Sequence, residues 1–242
     1  IDGTVAIGRN ALKSLTSGAN NLAIGYQAGY NLTSGASNIH IGYNAGVETV
    51  TGSRNVAIGD GAMDDCGGTL DPALVCNDNT FIGYGSGGGV WLTAASLKNT
   101  AIGAFSMDAN MNGATNNTAV GYAALTELTT GSNNIAMGYN AGLSLTTGLS
   151  NITIGYEAMA NASTTETNNV AIGHQAMTSV AHGDAEKNVV IGSLAGTGGG
   201  AAMDNCIAIG YAAMNSTVAN AQSGTVAIGS SALTALTTGE GN

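Results

Sequence analysis

Five aspartates, Asp60, Asp64, Asp65, Asp71 and Asp78, crowd one stretch of a chain in which only 8% of residues are charged. Carboxylate oxygens on a constrained loop are ligands for a hard cation, which makes Asp64, Asp65, Asp71 and Asp78 candidates for holding Ca²⁺. Their spacing follows neither the EF-hand loop nor the RTX nonapeptide, so solvated acids are the competing reading. Cys66 and Cys76 bracket the same stretch. A loop closed by a disulfide, in an extracellular setting, is the natural reading of such a pair, with free thiols or a metal site as the alternatives. Cys206 has no evident partner and reads as a small buried thiol. Trp91 is the sole tryptophan and follows Gly87, Gly88 and Gly89. On a projecting loop it would be a receptor contact; against the body of the protein it would be packing. His40, His174 and His182 accompany no G-x-S-x-G and no H-E-x-x-H pattern. No catalytic set assembles, and neither enzymatic activity nor a cofactor is expected.

These residues ride on a repeat that spans the chain. The motif N-x-A-I-G-x-x-A places its glycine at Gly8, Gly25, Gly42, Gly59, Gly83, Gly103, Gly121, Gly138, Gly155, Gly173, Gly192, Gly210 and Gly229. Successive glycines lie 17 to 19 residues apart, except for intervals of 24 and 20 after Gly59 and Gly83. The excess forms two insertions, about 64–79 and 86–98, which carry the acids, the cysteine pair and Trp91. A period this short leaves no room for helices, so each repeat should be one coil of strand and turn. The expected fold is all-β: a parallel β-solenoid of about thirteen coils, forming one domain over residues 1–242, with the chain a piece of a longer polypeptide.

Within the motif, Ile precedes the glycine and Val, Ile, Leu or Thr stands two residues earlier. That period of two predicts a short strand with one buried face, the Ile face. Ala6, Ala23, Ala57 and their equivalents then lie on the opposite face, as a flat Ala and Gly row open to a second backbone. Leu15, Leu32, Leu128, Leu145 and Leu236 open L-T-[ST]-G turns in which glycine supplies the reversal. Asn21, Asn38, Asn55, Asn79, Asn99, Asn117, Asn134, Asn151, Asn169 and Asn188 begin the motif and should stack amide on amide. Tyr26, Tyr43, Tyr84, Tyr122, Tyr139, Tyr156 and Tyr211 follow the glycine and suggest an aromatic ladder, for packing or for stacking on a glycan.

Composition narrows the partners. With 38 glycines, one proline and 44% apolar residues, the chain reads as a folded fibrous protein rather than a disordered one. Fifteen acids against five bases give a formal charge of −10, which offers nothing to a phosphate backbone and argues against nucleic acid. No apolar run is long enough for a membrane helix, so no direct membrane insertion is expected of this segment.

The motif N-x-A-I-G-x-x-A, clearest at residues 55–59 and 169–173, resembles the head repeats of trimeric autotransporter adhesins of the YadA type. It also resembles the N-T-A-I-G-Y-x-A repeats of phage tail-fibre proteins, to which the Tyr after glycine and the L-T-T-G turn bring it closer. The resemblance implies a left-handed β-roll, a parallel homotrimer, an extracellular place on a virion or bacterial surface, and a host or surface receptor as partner, glycan included. The longer period and the two insertions depart from the adhesin pattern. A hexapeptide acyltransferase is the enzymatic alternative, but each coil carries one hexad-like segment instead of three. An ice-binding face would need a threonine array on a strand, whereas threonine here gathers at turns.

Overall fold

A computed structural model describes residues 2–66, 74–91, 94–161, 164–179, 185–197, 203–215 and 222–234. It is an all-β parallel β-solenoid of about 11 turns, without a helix among the described residues. All thirteen motif strands form. Parts of several return segments, residues 67–73, 180–184, 198–202 and 216–221 among them, lie outside the described set.

The chain divides into two compact units, residues 1–123 with 128–130, and residues 124–127 with 131–242. The first holds β1 (Val5–Ile7), β2 (Leu22–Ile24), β3 (Ile39–Ile41), β4 (Val56–Ile58), β5 (Thr80–Ile82), β6 (Thr100–Ile102) and β7 (Thr118–Val120). Within this unit successive strands pair in parallel, motif on motif, as in Leu22↔Ile39, Ala23↔His40 and Ile24↔Ile41. The second unit holds β8 (Ile135–Met137), β9 (Ile152–Ile154), β10 (Val170–Ile172), β11 (Val189–Ile191), β12 (Met203–Asp204), β13 (Ile207–Ile209), β14 (Gln222–Ser223) and β15 (Val226–Ile228). There β8, β9, β10, β11, β13 and β15 make the motif ladder, and β12 pairs with β14 on the return side.

The buried face is the opposite of the expected one. Ala23, Ala57, Ala101, Ala119, Ala136, Ala171 and Ala208 are fully enclosed, while the flanking Ile, Val and Leu side chains are half-buried or exposed. The reason is the narrowness of the coil. Across from the strand runs a turn wall whose side chains already fill the interior: Met63, Met107, Leu125, Met159, Met177 and Met214, each four residues after a motif glycine, are enclosed too. Opposite such residues the strand carries Ala, or Thr153 in the coil of Met159. The Ala and Gly row is therefore no contact surface for another chain; the outer Ile and Val rows are what the sheet presents.

Two glycine columns let the coils stack at backbone distance. Gly25 has a φ of 137°, and a Cβ there would collide with the carbonyl of Gly42 in the next coil. Only glycine combines that φ with that approach.

Candidate functional site

The described residues of the two insertions belong to the first unit. Cys66 and Cys76 form a disulfide. Trp91 forms an isolated parallel bridge with Cys66, its backbone N–H donates to the Asp65 carbonyl at 3.2 Å, and its indole Nε1 donates to the Gly87 carbonyl at 3.3 Å. The indole meets Phe81 edge to face, with ring centroids 5.6 Å apart. Trp91 is fully buried, so of the two readings, receptor contact or packing, its place is that of a packed side chain. The widened coil provides an aromatic partner and a carbonyl for the indole N–H, so the ring goes inward.

The described candidate Ca²⁺ ligands, Asp64, Asp65 and Asp78, form no metal-holding group. Asp78 forms a two-point ion pair with Arg54, at 2.6 and 3.0 Å, and that guanidinium holds its carboxyl below the usual range. Asp71 lies outside the described residues. Asp65 contributes its carbonyl to Trp91. Asp64 alone enters a cleft of about 210 Å³, lined also by Asn44, Asp60, Tyr84 and Asp108. Burial raises the Asp64 carboxyl to about 6, helped by the charges of Asp65 and Asp108, and burial raises Asp108 as well. Among the described residues, no group of three or more His, Cys, Asp or Glu side chains is arranged to hold a metal ion.

Asparagine builds a continuous ladder inside each unit. The Asn38 Oδ1 accepts the backbone N–H of Asn55 at 2.9 Å and its side-chain amide at 3.2 Å, while the Asn38 Nδ2 donates to the Gly52 carbonyl at 2.8 Å. The same pattern joins Asn21 to Asn38 and Asn55 to Asn79, and Asn99 to Asn117. In the second unit it joins Asn134 to Asn151, Asn169 and Asn188. All ten are buried, and the arrangement is structural bonding with no amide left facing a ligand. Cys206 takes over the ladder position after Asn188, where its N–H donates to the Asn188 Oδ1 at 2.8 Å and burial pushes its thiol up.

The aromatic ladder is on the surface. Tyr26 lies against Tyr43, Tyr139 against Tyr156, and Tyr156 against His174, each at 5.2 Å with planes within 10°. Phe105 bridges Tyr84 and Tyr122 edge to face. Rings stacked on one another spend the faces between them on each other and offer edges and hydroxyls to solvent; Tyr211 is exposed and belongs to none of these pairs. The remaining histidines do not join His174: His40 is buried, and His182 lies outside the described residues.

A second regular surface, half-buried to exposed, is the outer face of the motif strands. In the first unit it presents Val5, Leu22, Ile39, Val56, Thr80, Thr100 and Thr118 in one column, and Ile7, Ile24, Ile41, Ile58, Ile82, Ile102 and Val120 in the other. In the second unit the columns are Ile135, Ile152, Val170, Val189, Ile207 and Val226 beside Met137, Ile154, Ile172, Ile191, Ile209 and Ile228. No charged residue stands in any of them. Sequence reasoning placed these residues inside; their number and lack of charge were visible, their direction was not.

Fold and surface together define a parallel β-solenoid repeat protein with an uncharged aliphatic sheet face. Comparison with family models, with curated proteins and with solved structures returns no match.

Proposed function

We propose that the chain is a non-enzymatic structural and adhesive segment of an extracellular fibre, assembled as a homotrimer of parallel copies. The observation that carries this reading is the outer strand face. Half-buried to exposed apolar rows that repeat rung after rung without a charge mark an interaction surface. A chain of formal charge −10 repels its own copies, yet this face carries none of its charges, so copies meeting there avoid like-charge contact. The Cys66–Cys76 disulfide fits an oxidising, extracellular place.

Among fibres, a virion fibre that mediates attachment to a host is the reading favoured by the Tyr after the motif glycine and the L-T-T-G turns; the head of a bacterial trimeric adhesin shares the rest. Along the stacks a receptor would meet tyrosine edges and hydroxyls, so recognition of a glycan there would run through hydrogen bonds, while Tyr211 keeps an exposed ring.

Light scattering on the isolated chain tests the assembly. A mass near three chains is expected, and Ile172→Glu, which puts a charge into the outer face, should reduce it to one chain without changing the far-ultraviolet circular dichroism. A wild-type chain that stays single at all concentrations overturns the proposal.

A further inference from the structure

A face built from near-identical rungs has a problem of its own. If copies meet along it, sliding one copy by a rung replaces each aliphatic contact with an equivalent one, so apolar burial alone does not fix the register. One feature of the first unit breaks that equivalence. Thr80, Thr100 and Thr118 follow one another in the outer column, aligned strand to strand as Thr80↔Thr100 and Thr100↔Thr118, after four aliphatic rungs at Val5, Leu22, Ile39 and Val56. The companion column stays aliphatic at the same rungs, with Ile82, Ile102 and Val120.

We propose that Thr80, Thr100 and Thr118 are a register key, which admits a second and third copy only with each threonine rung opposite the same rung of its neighbours. The proposal rests on the homotrimer reading above. Threonine and valine have nearly the same shape, and both suit a strand, so the hydroxyl is the only difference the seam would sense. In register, hydroxyls from neighbouring copies face one another and bond directly or through a shared water. Slipped by a rung, Thr80 would lie against Val56 of a neighbour, and a buried hydroxyl without a partner costs about 1–3 kcal/mol. The mismatch repeats in every copy, so the wrong register is disfavoured while the right one gains little. That is specificity obtained by penalising the alternative.

The test uses the full chain with cysteine probes in the companion column. Two chains, one carrying Ile82→Cys and the other Val120→Cys, are mixed, dissociated, reassembled and oxidised mildly. The two probes are two rungs apart, roughly 10 Å, beyond the reach of a disulfide across an in-register seam. Bridges between like chains should exceed bridges between unlike chains at least tenfold. Adding Thr80→Val, Thr100→Val and Thr118→Val to both chains should bring the two products to comparable yield while the light-scattering mass stays at three chains. Comparable yields in the unmodified threonine background, or a tenfold preference that survives the valine changes, overturns the key but leaves the trimer standing. A single-chain mass overturns both.

Discussion

Phe81 and Gly87 share one space: a Cβ built on Gly87 would lie 2.5 Å from Cδ1 of the Phe81 ring. The relation recurs. A Cβ on Gly46 would lie 2.6 Å from Nε2 of His40, and one on Gly196 would lie 3.1 Å from Cγ1 of Val190. Where the inward strand residue is Ala57, Ala101 or Ala171, the residue six positions on is Met63, Met107 or Met177. In these coils one large side chain crosses the interior, supplied from one wall or the other; where both positions are small, as at Ala23 with Gly29 and Ala136 with Gly142, a Cβ on the glycine would meet Leu12 or Leu125 of the preceding coil.

That trade sets up a double-mutant cycle. Gly87→Met should destabilise the protein by about 1–3 kcal/mol or more through overpacking and a strained positive φ. Phe81→Ala with Gly87→Met recreates the neighbouring combination and should recover most of the loss. Urea unfolding of the four proteins measures the coupling, and additive effects would show that the two residues do not compete for volume.

Asn55→Ala removes an amide that accepts two bonds from Asn79 and donates to the Cys76 carbonyl at 2.8 Å. Buried groups left unpaired cost about 1–3 kcal/mol each, so a loss of several kcal/mol is expected. Hydrogen exchange should rise first at residues 76–79. A loss below 1 kcal/mol would mean that water replaces the ladder.

His40 gives the protein an acid limit. Its imidazole is enclosed, faces no hydrogen-bond partner, and is lowered to about 4 by burial alone. It stays neutral in the fold, whereas the unfolded imidazole takes up a proton below about 6.5. The stability it preserves is therefore complete above that pH and falls progressively down to about pH 4, by about 3 kcal/mol in all. Stability measured from pH 7.5 to 4 should drop more steeply in wild type than in His40→Ala; parallel curves would refute the assignment.

Asp64 works in the opposite direction. Its carboxyl is raised to about 6 by burial and by Asp65 and Asp108, so its ionised form is disfavoured in the fold at neutral pH. The penalty is present above about pH 6 and disappears as the pH falls towards the ordinary carboxylate value. Asp64→Asn should raise the melting temperature at pH 7.5, by an amount worth under about 1 kcal/mol after solvent screening, and should have no such effect at pH 4.

Reducing the Cys66–Cys76 bridge frees a short loop and should cost about 2–3 kcal/mol. Trp91, the sole tryptophan, lies directly against this region, so its emission should shift to the red before the global transition. An unchanged spectrum on reduction would show that packing with Phe81 holds the insertion unaided.

Period, strand positions and the asparagine stack were legible because thirteen copies align on their glycines. Which face of the strand turns inward was not, since a period of two separates two faces without naming the inner one. Hydropathy favoured Ile24 and Ile58 over Ala23 and Ala57, and the narrow interior reversed the choice. The signal that would have decided it was present: His40 with Gly46, Phe81 with Gly87 and Val190 with Gly196 are swaps that only an enclosed position requires. The acidic cleft was hidden for another reason. Asp64 and Asp108 lie far apart in the chain but each follows its motif glycine by five residues, with Gly88 holding that position in the coil between. Phase within the repeat, not distance along it, brings them together.

From the first residue of the motif to its glycine the chain never varies in length, as from Asn21 to Gly25, Asn79 to Gly83 and Cys206 to Gly210. All variation in spacing, including both insertions, falls on the return path between the turn wall and the next motif. The coil is thus a fixed frame with one adjustable port. Foreign peptides spliced at that corner should be displayed at the pitch of the ladder, which makes the chain a scaffold for presenting loops at defined intervals.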